Sequence, residues 1–105
     1  MPWMRLSTYR PLPGHRTEVE RIVERLGEMV SKKEGFVMTL HFVGSDESGD
    51  MGRLTIWESA EAANRAAADE DIQALRSQLH IAILSGHMDY LAEIKGTPIG
   101  TFSGQ

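Results

Sequence analysis

Apolar side chains recur along the 105-residue chain with two different periods, and the switches between them mark the elements. Residues 3–9, WMRLSTY, contain no breaker and carry Trp, Leu, Thr and Tyr, which predicts a first strand. Pro11-Leu12-Pro13-Gly14 ends it, because a proline has no N–H to give to a ladder. Val19, Ile22, Val23, Leu26, Met29 and Val30 then follow in steps of three and one, a single apolar stripe on a 3.6-residue period. This is the clearest helix of the chain. Thr17 and Glu20 have capping-box spacing at its start, while Lys32 and Lys33 suit the negative end of its dipole. Gly35 can take the left-handed position that closes it.

Residues 36–43, FVMTLHFV, predict a second strand, and the polar run from Gly44 to Gly52 predicts a long hairpin tip. Arg53 to Trp57 reads as the third strand. Ser59 then stands where it can cap a helix from Ala60 to about Ala68. Asp69-Glu70-Asp71 places acids at the positive end of a further helix, with Ile72, Leu75, Leu79, Ala82 and Ile83 as its stripe and Gly86 as its close. His87 to Ile94 predicts the fourth strand.

The order βαββαβ, with the second helix split, is the ferredoxin-like α+β pattern: a four-stranded antiparallel sheet with helices on one face. One domain spans residues 1–95, followed by a loose C-terminal tail over 96–105. Simple alternation puts Phe36, Met38, Leu40 and Phe42 on one face of the second strand, with Val37 and Val43 on the other. A strand apolar on both faces implies a sheet covered on both sides, and a second copy of the same sheet can supply the missing cover. The expectation is an isologous homodimer.

Composition narrows the function. Lys+Arg 11 against Asp+Glu 15 leaves a net charge of −4, which argues against nucleic acid as a partner, since phosphates demand a basic face. The absence of cysteine excludes disulfides, thiolate chemistry and cysteine-held metal clusters. No window approaches 18 consecutive apolar residues and no leader pattern opens the chain, so no membrane is expected and the default location is cytoplasmic. The histidines at 15, 41, 80 and 87 match no metal-ligand spacing, and no metal or cofactor is expected.

With these elements in place the chain resembles the antibiotic biosynthesis monooxygenase domain family of the dimeric α+β barrel superfamily. The resemblance rests on Pro13-Gly14, on Glu34-Gly35-Phe36, and above all on Leu54-Thr55-Ile56-Trp57-Glu58-Ser59 running into Ala60-Glu61-Ala62. It covers roughly residues 3–94. It implies a homodimeric barrel with a pocket between helices and sheet in each subunit. Some members oxidise aromatic polyketide or quinol substrates with O₂ and neither metal nor flavin; others degrade haem. The haem-degrading pattern of Asn, Trp and His falls on Ser7, Ala66 and Arg76, so no imidazole stands ready to ligate iron and haem degradation is not expected.

The residues that can carry chemistry each have a plain structural reading beside the functional one. Trp57 can wall a planar substrate or fill the core. His41, interrupting an apolar strand, can take a proton from a phenol or bond to the backbone. His80, on the flank of the last helix stripe, is the second candidate base. Tyr9, Tyr90 and Arg53 can hold a phenolic or anionic oxygen, or pair with their neighbours. The function expected is a cofactor-independent monooxygenase acting on a small aromatic, quinol-type molecule, with His41 or His80 as base and Trp57, Tyr9, Tyr90 and Arg53 binding substrate. A non-catalytic small-molecule-binding dimer and an isomerase on the same fold are the rivals.

Overall fold

A computed structural model describes residues 1–46, 48–97 and 99–100. The elements run β1 (Trp3–Tyr9), α1 (Arg16–Ser31), β2 (Phe36–Val43), β3 (Met51–Trp57), α2 (Ala60–Ala67), α3 (Glu70–Ile81) and β4 (Met88–Glu93). This is the ferredoxin-like order with a split second helix, and all strand pairings are antiparallel, in the order β2-β3-β1-β4. Part of the expected tail, residues 98 and 101–105, lies outside the described residues, as does residue 47 in the hairpin tip.

The stripe of α1 behaves as its period demands. Val19, Ile22, Val23, Leu26 and Val30 are all buried and anchor the core, where Ile72, Leu75 and Leu79 of α3 meet them. The start of α1 differs from expectation. His15 is the N-cap and Thr17 lies inside the first turn, because Pro13 and the left-handed Gly14 (φ 81°) turn the chain two residues earlier. No side chain caps the helix; the His15 ring instead sits 3.0 Å from Glu18. The caps of the other two helices are as the sequence suggests. Ser59 accepts from the Ala62 N–H, and Asp69 accepts from the Ile72 N–H.

Two further boundaries move. The third strand begins at Met51 rather than Arg53, since Met51 and Gly52 pair with Tyr9 and Thr8 on one side and with Val43 and Phe42 on the other. The last helix ends at Ile81 rather than near Gly86. Leu12 donates to the Ala82 carbonyl, Ile83 bridges Pro11, and Leu84 donates to the Arg10 carbonyl, so this segment is drawn into pairing with the chain after β1.

A bulge between Phe36 and Met38 also splits the face expected for β2. Phe36 turns to the helices and meets Trp57 edge-on, ring centroids 5.9 Å apart, whereas Val37 stays exposed. Beyond the bulge the register builds two apolar rows across the open face of the sheet. One runs Leu40, Leu54, Leu6, Tyr90 and the other Met38, Ile56, Met4, Ala92. None of these side chains is fully buried in the single chain.

Candidate functional site

The helix-facing side of the same sheet carries a different row: His41, Arg53, Ser7, Asp89, from edge to edge. Arg5 and Tyr9 flank it on β1, because alternation returns every second residue to this face. Between that row and α1 and α3 lies a narrow cleft, lined on its polar wall by Arg5, Ser7, Tyr9, Arg53, Arg76, His80 and Asp89. Val23, Leu26, Leu79 and Ile83 form the apolar wall opposite. A second narrow cleft opens beside α2 and is lined by Trp3, Thr55, Trp57, Asn64, Ala66 and Ala67. Arg5, Arg53 and Arg76 border both clefts.

One carboxylate, Asp89, pairs with two of these three guanidinium groups. Asp89 accepts from Arg5 at 3.2 Å and from Arg76 at 3.5 Å through Oδ2, while Ser7 donates to Oδ1. Burial pushes its pKa up, but the Ser7 bond and the two arginine charges outweigh that and hold it below the ordinary carboxylate value. Arg53 has no ion pair among the described residues, and its Nη1 is buried without a hydrogen-bond partner. Burial, opposed by Tyr9 and reinforced by Arg5 and Arg76, brings its pKa down to about 10, so it stays charged at neutral pH.

Tyr9 is 5% exposed, and its hydroxyl is the other buried polar atom left without a partner. Burial pushes its pKa up to about 12 against the pull of the Arg53 charge, so the phenol keeps its proton and acts as a donor. His80, at the mouth of the cleft, stacks on His87 with ring centroids 4.7 Å apart. Desolvation, then His87 and Arg76, lower its pKa, so the ring is neutral at pH 7 and free to accept a proton.

The structure thus brings Tyr9, Arg53 and His80 into one cleft and sets Trp57, 3% exposed, in its neighbour. Two candidates stand apart. His41 shares the row of Arg53 but lies on the edge strand, exposed and outside both clefts. Its pKa is lowered by desolvation and by Arg53 and Arg16, against Glu20. Tyr90 points to the open face of the sheet and is 55% exposed. The sequence reading missed Arg5 and Asp89 altogether. Alternation from Tyr9 back to Arg5, which puts a charge on the helix side of a strand, is the signal that finds Arg5.

Among the described residues no group of three or more His, Asp or Glu side chains comes together as metal ligands. No helix of the described residues is long and apolar enough to cross a membrane.

No protein-family model and no curated protein matches the chain by sequence. Solved structures do match it by shape. The cofactor-independent oxygenase SnoaB from Streptomyces nogalater superposes with a TM-score of 0.80 at 17% identity, covering 91% of this chain and 95% of that one. The chain has the fold of that oxygenase. Rv0793 from Mycobacterium tuberculosis matches with a TM-score of 0.84 at 10% identity, over 92% of this chain and 98% of its own. A protein named antibiotic biosynthesis monooxygenase matches at 0.80 and 14% identity, over 90% and 99%. The ferredoxin-like fold of the single chain expected from the sequence is therefore the fold observed.

Proposed function

We propose that this chain is a cofactor-independent monooxygenase that oxidises an aromatic, quinol-type molecule in the cleft between α1, α3 and the sheet. The observation that carries the reading is the pairing, in one half-apolar cleft, of two unpartnered buried donors with a neutral imidazole. Tyr9 Oη and Arg53 Nη1 are the donors, and His80 is the base.

In this mechanism His80 takes the proton of the substrate hydroxyl, and the resulting oxyanion is stabilised by the positive charge of the arginines that line the cleft. An electron-rich phenolate or enolate in a cleft sheltered from water passes one electron to O₂, and the radical pair combines into a carbon-bound peroxide. The O–O bond then breaks. One oxygen remains as a carbonyl and the other leaves as water, whose two hydrogens are the hydroxyl proton carried by His80 and the single hydrogen lost from the oxidised carbon. SnoaB is named as an oxygenase that needs no cofactor, and sharing its fold supports the reading.

The assembly proposed with it is a homodimer closed through the open sheet face, whose apolar rows are left without cover in one chain. The test of the chemistry is oxygen consumption by the metal-free protein on anthrones, hydroquinones and hydroxynaphthoquinols. Uptake above the protein-free rate, lowered at least tenfold by His80→Ala, is expected. Ligand binding without uptake on any of them would instead make the chain a binding module, and an isomerised product formed without oxygen would make it an isomerase.

A further inference from the structure

Charge in the cleft does not balance. Three guanidinium groups converge on it, and both oxygens of Asp89 are already engaged, by Ser7 on one side and Arg5 and Arg76 on the other. Arg53 is left over, with no acidic partner among the described residues and Nη1 sealed from solvent. The Tyr9 hydroxyl is likewise sealed and unbonded. Buried donors are rarely left in this state unless something else satisfies them, and a protein that buries an extra cation is prepared for an anion.

The shape of the donors narrows that anion. A guanidinium is flat and offers parallel N–H groups that match the two oxygens of a carboxylate, and a tyrosine hydroxyl adds a single donor to one of them. The wall opposite, Val23, Leu26 and Leu79, takes an apolar body. We propose that the ligand of this cleft carries a carboxylate beside its aromatic ring, and that Arg53 and Tyr9 seat that group. The proposal rests on the reading of this cleft as the substrate site, but not on the oxygen chemistry.

Asp89 then has a second effect. It holds Arg5 and Arg76 in place, and its own negative charge opposes an incoming carboxylate. Removing that charge while keeping the shape tightens carboxylate binding, which a purely architectural role for the cluster would not do.

Titration calorimetry with 2-naphthoate, methyl 2-naphthoate and 2-naphthol separates the possibilities without any turnover. Naphthoate is expected to bind at least tenfold tighter than the ester. Arg53→Met should weaken naphthoate at least tenfold and leave the ester within twofold, while Asp89→Asn should tighten naphthoate several-fold. Should circular dichroism find Arg53→Met unfolded, the native protein decides. Raising NaCl from about 0.02 to about 0.5 M should weaken naphthoate several-fold and leave the ester unchanged, as screening of a charge requires. Equal affinity for acid and ester, salt-independent naphthoate binding, or no naphthoate binding at all overturns the proposal. Naphthoate binding with no oxygen uptake, either on the quinol panel or on quinols bearing a ring carboxylate, would uphold this proposal and defeat the monooxygenase reading.

Discussion

Arg5 and Asp89 meet on the diagonal of the β1–β4 pair, Nη2 to Oδ2 at 3.2 Å, and among the described residues Asp89 is the one carboxylate lining the cleft that holds three arginines. Asp89→Asn is expected to destabilise the ligand-free protein by about 1–3 kcal/mol, the range for losing hydrogen bonds to a charged group. The pH dependence has a definite sign. The folded pKa of Asp89 is depressed, so its contribution is present above the ordinary carboxylate value of 3.8 and is lost as pH falls through the folded value. Urea midpoints of the native protein and Asp89→Asn should therefore differ at pH 7 and converge in acid. A constant difference down to pH 2 would mean that the Asp89 charge is not what stabilises the fold.

His80 gives a second pH effect, at higher pH. His80 has a lowered pKa when folded, so below the ordinary imidazole value of 6.5 the unfolded chain takes up a proton that the folded chain resists. The contribution of His80 is present above 6.5 and lost as pH falls below it. Stability of the native protein should decline between pH 7.5 and 5 more steeply than that of His80→Gln. Parallel curves would remove His80 as a base held neutral by its surroundings.

Much of the frame could be read from the sequence, and the cleft could not, for a reason visible in particular residues. The period of Val19 to Val30 specifies α1 because its stripe answers to one local geometry, and the same holds for β1, where strand signals end at a proline. The boundaries that moved are set by distant partners. α3 stops at Ile81 because residues 82–84 bond to Arg10 and Leu12, about 70 positions away in sequence. Arg5, Arg53, Arg76 and Asp89 are likewise scattered across three strands and a helix, and only the register β3-β1-β4 lines them up. His41 illustrates the converse. A histidine in an apolar strand reads as buried, but β2 is an edge, and the ring is exposed.

Gly35, in the loop after α1, leaves no room for a side chain against α2. Its φ is +84°, and a Cβ there would stand 2.4 Å from Cβ of Ala62. Gly35→Ala combines left-handed strain with an overpacked contact and is expected to cost about 2–4 kcal/mol, read as a lower urea midpoint with unchanged slope. Shortening the opposing side chain isolates the two causes. Gly35→Ala with Ala62→Gly should recover the steric part, less the cost of a helical glycine, and leave the strain. If the pair is as unstable as the separate effects added together, the two sites are uncoupled and the contact is not what forbids a side chain at Gly35.

The open sheet face offers the last test, of the proposed dimer. Leu54 lies at the centre of its row, between Leu40 and Leu6, on a strand flanked on both sides. On the helix side its neighbours in sequence, Arg53 and Thr55, serve the clefts, so a change at Leu54 reaches the dimer without touching the site. In a single chain Leu54 is only partly buried, and Leu54→Glu there would place a carboxylate where water can still reach it. In a closed pair the same carboxylate would be buried in the apolar interface, which costs several kcal/mol unless the interface opens. Light scattering at micromolar concentration should give twice the chain mass for the native protein and a single chain mass, or insoluble material, for Leu54→Glu. A native protein that runs as one folded chain would mean that the apolar rows face water, and the sheet-to-sheet dimer would fall.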